Sequence, residues 1–314
     1  VSDTSLQHIP VLLPKILEIV EQHFAKSSKE SFDFLDATFG GGGHFSAIYE
    51  KFPQARCEAW DRDVAAKERF LNKEYNSERT LFKWCSFGGA VSGLEKKYDL
   101  VLADLGLSSF QIDDKGRGMS LFSEAPIDFR MDQEKTEPFK DWLDLHSEKE
   151  IADFVFEYGE ERKSRRVARF LKSSDFDPSI SAAQLAKKLA SILKYPAKSR
   201  RHPATRTFQA LRMAINQETL ELENFLASLG EIMHDGSLAL IISFHSIEDR
   251  LVKHVFRDYA CEPNFDILSK KPVLADDEEL GANPRSRSAK MRGLTKLQNG
   301  QSKEKKKKYA QKSD

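Results

Sequence analysis

Cysteine is scarce in this chain. Its 314 residues contain three, Cys57, Cys85 and Cys261, too scattered for a zinc pattern or a disulfide framework. That scarcity favours a reducing compartment. Long apolar runs are missing too: the longest, LALIISF at 238–244, falls far short of the ~20 residues a membrane-spanning helix needs. Residues 1–10 are polar and include Pro10, so no secretory leader is expected and the expected location is cytoplasmic. No G-x-x-x-x-G-K-[ST] sequence occurs, which argues against a P-loop nucleotide site, and no G-x-S-x-G elbow supports a serine hydrolase. Net charge is also lacking, with 49 Lys+Arg against 49 Asp+Glu.

Neutrality hides an uneven distribution. Residues 284–314 carry eleven Lys/Arg and two Asp/Glu, so the preceding 283 residues have a net charge of −9. An acidic body with a basic end remains compatible with a polyanionic partner.

Hydrophobic residues make up 40% of the chain, enough for a substantial core. Residues 8–26 place Ile16, Leu17, Ile19, Val20 and Phe24 at helical spacing. Short strands are expected at 32–36, 55–61, 80–85 and within 98–109, with helices at 44–51 and from the low 60s to Leu71. That alternation implies a doubly wound α/β sheet. It stops near Gly116, where polar helices follow at 147–158, 160–173 and 181–194. It resumes with one long helix at 205–227 and a strong strand at 238–243. The expected organisation is a first part at 1–115, an inserted helical domain at 116–203, a second part at 204–292, and a disordered basic tail at 293–314.

Asp36-Ala-Thr-Phe-Gly40-Gly41-Gly42-Gly43-His44 follows the first strand and opens a helix. Glycines there allow a sharp turn and close backbone approach to a ligand. Asp61 ends the next strand, where a carboxylate can accept hydrogen bonds from ribose hydroxyls. The third small position of a dinucleotide fingerprint would be Ser46, a poor match. An adenosine cofactor without a pyrophosphate, such as S-adenosylmethionine, fits better. Asp104 closes the fourth strand in DLGLSS, followed by Gln111, Asp113 and Asp114. It either caps the next turn or orients a nucleophile beside a transferable methyl group. Methylation at pyrimidine C5 needs a cysteine nucleophile, and none lies on the fourth-strand loop. Methylation of an exocyclic amine needs only acceptors that aim the nitrogen lone pair.

Two arginine-rich segments flank the end of the insertion: Arg162, Lys163, Arg165 and Arg166, then Lys198, Arg200, Arg201 and Arg206. They suit phosphate contacts, or ion pairs with local acids such as Glu160 and Glu161. His245, in SFHSIEDR, either faces the rim of the site or only starts a helix, with Glu248 and Asp249 as helix-start charges. The segment 283–292 either touches RNA or folds back on the sheet.

These motifs resemble the MraW/RsmH family of ribosomal RNA small-subunit cytosine-N4 methyltransferases. The matching blocks include HIPVLLPKIL, DATFGGGGH, DLGLSSFQIDD, YGEERKSRRVAR, HPATRTFQALRMAIN and ISFHSIEDRLVK, and they span about 8–292. Met119 and Phe129 exchange the family's usual Phe and Met, and Thr219 interrupts a usual Asn-x-Glu-Leu run. The resemblance implies a Rossmann-like S-adenosylmethionine-dependent fold with an inserted helical domain. It implies cofactor contacts from Gly42, Gly43, His44, Asp61, Phe87, Asp104 and Gln111, with Asp104 catalytic and no metal. With small-subunit rRNA as the implied substrate, the arginine-rich segments make Arg162, Arg165, Arg166, Arg200, Arg201 and Arg206 the expected RNA contacts. No membrane partner is expected, and a homodimer is compatible with the sequence. Two rival readings are an amino-methyltransferase for another RNA or DNA and a non-catalytic ribosome assembly factor.

Overall fold

The computed structural model describes residues 9–25, 29–114, 116–195 and 202–298. Seven strands form one sheet: β1 Phe32–Asp36, β2 Ala55–Asp61, β3 Thr80–Trp84, β4 Tyr98–Asp104, β5 Met233–Ser243, β6 Phe265–Ile267 and β7 Lys290–Lys296. Their order is β3-β2-β1-β4-β5-β7-β6. The first five run parallel, and β7 lies antiparallel between β5 and β6. This is a Rossmann-like α/β sheet.

Side-chain alternation explains why it is covered on both faces. On β4, Leu100 and Leu102 enter one hydrophobic cluster while Val101 and Ala103 enter the other. On β5, Leu238, Leu240 and Ile242 join the first, and Ala239 and Ile241 the second. Helices α1 (Leu13–Phe24), α2 (Gly43–Lys51) and α3 (Val64–Leu71) cover the first face, with Ile16, Val20, Phe45, Ile48 and Phe70 buried in it. Period-2 strands buried on both faces need this two-layer cover.

Short α4 (Phe87–Ala90) and α5 (Ser109–Asp113) flank β4. Helices α6 (Phe139–Leu145), α7 (Glu148–Gly159), α8 (Ser164–Leu171) and α9 (Ala182–Leu193) follow before the chain returns to the sheet. They share a third core with α10 (Thr205–Ile215), built from residues such as Phe139, Ile151, Val167, Leu189, Phe208 and Leu211. Capping boxes at Ser147–Glu150 and Ser181–Gln184 start α7 and α9.

Two expectations need correction. The helix expected over 205–227 is two helices, α10 and α11 (Glu218–Ile232), because Gln217 adopts φ 51. Asn216 ends α10 by turning inward. Its Oδ1 accepts from Met131 N at 2.8 Å, and its Nδ2 donates to Phe129 O at 2.7 Å and Arg212 O at 2.8 Å. The tail expected from 293 also starts too early. Residues 290–296 form β7, paired with β5 from Lys290↔Ser243 to Thr295↔Leu238. The segment 283–292 thus folds back on the sheet. Residues 299–314, with the Lys-rich run, lie outside the described residues. Helices α12 (Ser246–Tyr259) and α13 (Asp277–Ala282) complete the chain. Among the described residues no helix is long and apolar enough to cross a membrane.

Candidate active site

Strand order reverses between β1 and β4, and the crevice beyond the strand ends at such a point is where open α/β sheets bind ligands. Asp36 ends β1 and Asp104 ends β4, so the crevice is acidic by construction. A cavity of about 700 Å³ opens there. Gly40, Gly41, Gly43, His44 and Asp61 line one side, and Phe87, Asp104 and Gln111 another. His245, Glu248 and Leu251 of the β5–α12 region close a third.

The glycine loop is shaped by its neighbours. Gly42 has φ 75 and stands as the N-cap of α2, a backbone state that a Cβ disfavours. A Cβ at Gly41 would lie 2.4 Å from the Phe110 ring. Arg69 stacks its guanidinium 4.8 Å from that ring and donates from Nε to Gly40 O at 3.0 Å. Asp61 accepts from Gly40 N (2.7 Å) and Asp63 N (2.8 Å), one bond to each carboxylate oxygen. Each oxygen keeps a further lone pair for a ligand hydroxyl. Burial pushes Asp61 up to about 6, partly opposed by those two N–H groups.

Asp104 is the exceptional group. Its backbone N–H donates to Thr38 Oγ1 at 2.6 Å, and its side chain is 27% exposed through the cavity. Its Oδ1 is buried with no hydrogen-bond partner among the described residues. Burial, together with the charges of Asp36 and Glu248, holds its carboxyl well above the ordinary range. His44 Nδ1 faces its Oδ2 at 3.6 Å, while His44 Nε2 donates to Val11 O at 2.8 Å. With Nε2 carrying a proton, the Nδ1–Oδ2 approach is favourable when a second proton sits on one of the two atoms.

The expected residues fall into place unequally. Gly43, His44, Asp61, Phe87, Asp104 and Gln111 all reach the one cavity. Gly42 does not line it; it is buried and serves the turn. Gln111 is engaged at both ends of its amide. Oε1 accepts from Ser108 N at 2.9 Å, and Nε2 donates to Asp63 Oδ2 at 2.9 Å, where Arg117 also binds through two nitrogens. Phe87 packs edge-on against Phe225 at 5.2 Å. Arg162, Arg165, Arg166 and Arg206 are exposed. Of these, Arg166 donates to Ile192 O and Arg206 to Glu160 O. Arg200 and Arg201 lie outside the described residues.

Four further charged residues at the site were not expected there. Asp36 is buried, and burial pushes it up to about 7, against the hydrogen bond from Thr38 N and with the Asp61 charge adding to the rise. Glu248, read as a helix-start charge, is a buried cavity residue. It accepts from Phe244 N at 2.9 Å, and its Oε1 stands 3.0 Å from His245 Nε2. Burial would raise it, but the facing imidazole and that N–H hold it below its ordinary value. The His-x-x-Glu spacing of a capping box was the available signal. Arg285 and Arg287 enter the cavity wall because the segment 283–292 folds back on the sheet, one of its two expected placements.

The raised Asp36 value has a measurable consequence. In the unfolded chain this carboxyl ionises near 3.8, and in the fold near 7. Between those values the unfolded state has lost a proton that the native state keeps, so stability falls as pH rises through this window. Asp36→Asn is expected to remove that loss. By thermal melting of the ligand-free protein, the variant should gain on the order of a few kcal/mol over the parent at pH 8 relative to pH 5. Equal pH profiles would rule the effect out.

The residues fit S-adenosylmethionine, whose sulfonium is cationic. The Asp104 carboxylate lines the cavity with its side chain 27% exposed, and Asp61 keeps free lone pairs at the end of β2. The model of the MraW methylase family matches residues 5–297. A protein of Cyanothece sp. named Ribosomal RNA small subunit methyltransferase H is 41% identical, over 92% of this chain and 95% of its own length. Proteins of the same name from Prochlorococcus marinus and Leptospira interrogans are 37% and 36% identical, each over 93% of this chain and at least 90% of their own. This chain belongs to the MraW methylase family and is an S-adenosylmethionine-dependent methyltransferase.

Proposed function

We propose that this protein methylates the exocyclic N4 of a cytidine in the decoding centre of small-subunit ribosomal RNA, acting in the cytoplasm. The observation that carries this reading is the Asp104 carboxylate, which ends β4 and lines the cavity with its side chain 27% exposed. When bound, S-adenosylmethionine supplies an electrophilic methyl group. Asp61 would hold its ribose, Phe87 would flank its adenine, and the Gly43–His44 turn and Gln111 would border the rest. Asp104 accepts one N4–H, which leaves the nitrogen lone pair facing the methyl carbon. On taking the methyl group that the cofactor would supply, N4 would turn cationic and give up a proton. Asp104, the carboxylate that faces this nitrogen, would accept it.

The cavity also contains Cys85, which would be needed for attack on a pyrimidine ring. Burial pushes its thiol up to about 11, with Lys83 opposing only in part. A thiol held protonated is a poor nucleophile, and this supports amine rather than ring-carbon methylation. The exposed arginines Arg162, Arg165, Arg166 and Arg206, with Arg200 and Arg201, supply phosphate contacts from the inserted helical region. The relatives' shared name supports small-subunit rRNA as the substrate.

Labelled S-adenosylmethionine incubated with the protein and unmodified small subunits, followed by nucleoside mass spectrometry, should yield N4-methylcytidine in rRNA. Label only in other nucleosides, or none in rRNA, would overturn the reading.

A further inference from the structure

A second cavity, of about 250 Å³, lies apart from the first between α12 and the β6–β7 edge. Four cations line it: Lys253 and Arg257 of α12, Lys270 of the loop after β6, and Arg292 of β7. Phe256, Ile267 and Gly293 add apolar surface, and no lining residue is acidic. Only Arg292 has a carboxylate partner, with Nε 2.8 Å from Asp249 Oδ1, and Lys290 shares that carboxylate at 3.2 Å. Lys253, Arg257 and Lys270 make no ion pair among the described residues. Gathering these cations around one concavity creates a local positive potential that favours an anion there.

We propose that this cavity binds a backbone phosphate of the RNA substrate, as a docking site separate from the arginine segments of the helical region. The proposal rests on the reading of an RNA substrate given above. Helix α12 connects the two sites: Ile247 and Leu251 line the catalytic cavity, and Lys253 and Arg257 line the basic one. Each pair is offset by six residues, about 9 Å along the helix and one and two-thirds turns around it. The basic cavity therefore opens on a different face of α12. It would grip a stretch of strand away from the target nucleotide. Three of these cations, Lys253, Arg257 and Lys270, stand out against the acid excess of the first 283 residues. A polyanion would be drawn to such a spot and kept off its surroundings.

The test is the triple variant Lys253→Ala, Arg257→Ala, Lys270→Ala, assayed for methyl transfer to small ribosomal subunits at several salt concentrations. The expected result is a KM for the subunit raised about tenfold or more, with kcat and calorimetric S-adenosylmethionine affinity unchanged. The slope of log affinity against log salt should shrink by roughly 0.7 for each phosphate that the variant no longer neutralises. Lys253→Arg alone should keep parent behaviour. An unchanged KM and slope in the triple variant would overturn the proposal. So would saturable binding of inorganic phosphate at this cavity with no effect of the variant on the subunit KM, since the site would then serve a free anion. If the parent protein does not methylate rRNA at all, the functional reading fails. Filter binding of parent and variant to rRNA fragments then still decides this one: equal binding sinks it, and weaker binding by the variant upholds it.

Discussion

Asp104→Asn is expected to slow methyl transfer by about 10²–10⁴-fold, the range typical for loss of a positioned proton acceptor. The amide keeps the shape and one acceptor atom but cannot become an anion. It therefore loses its pull on a nitrogen that turns cationic as the methyl arrives. Asp104→Ala removes the acceptor as well and should abolish transfer. Cofactor binding should survive both changes, because Asp61 sits on a different strand and is held by its own bonds from Gly40 and Asp63. Single-turnover rates paired with calorimetry separate the two effects. Full transfer by either variant would remove Asp104 from the mechanism, and loss of cofactor binding with transfer per bound cofactor intact would reduce it to a binding residue. The fold should be unharmed, since replacing a buried, partly unpartnered carboxyl by a neutral amide removes an electrostatic cost.

The largest stability loss is expected at Asn216→Ala. The side chain is almost fully buried, and it closes α10 while bonding the backbone of Phe129 and Met131. Truncation leaves a buried N–H and a buried carbonyl without partners, each costing ~1–3 kcal/mol, and opens a small cavity. A total on the order of 3–5 kcal/mol follows, large against the marginal stability of a domain. Arg62 Nη1 donates to Asn216 O at 3.0 Å, which ties this turn to the residue after β2. The turn therefore connects the cofactor side of the cavity to the helical region. Chemical denaturation should show a lowered midpoint. Asn216→Asp, which keeps the acceptor for Met131 N and loses the donors, should fall between parent and alanine variant. An unshifted midpoint for Asn216→Ala would mean that the turn has other support.

Period and punctuation are enough to read the sheet. Strands β1 to β4 and helices α2 and α3 announce themselves because apolar runs, glycines and strand-end acids are local signals. The single long helix expected over 205–227 fails for a physical reason. Its apolar spacing runs almost unbroken through Asn216 and Gln217, and only the tertiary demand of Phe129 and Met131 for hydrogen bonds turns the chain there. The boundary of the tail fails for a related reason. Residues 293–296 have little strand character alone, and the open edge of β5 recruits them.

The candidate site divides in the same way. Asp61 and Asp104 could be named from sequence because each ends a recognisable strand, and chain order alone puts such residues at one rim. The sequence by itself also determined that an adenosine cofactor is favoured over a dinucleotide, through the glycine cluster and its poor third position. Only the tertiary structure decided the electrostatics. Ionisation depends on what surrounds a group in space, so the raised carboxyls of Asp36 and Asp104 come from strand order and helix cover brought together across the chain. The same holds for the protonated thiol of Cys85 and for four cations from three separate segments around one cavity. None of these has a sequence spacing, because burial and convergence arise only when distant segments meet.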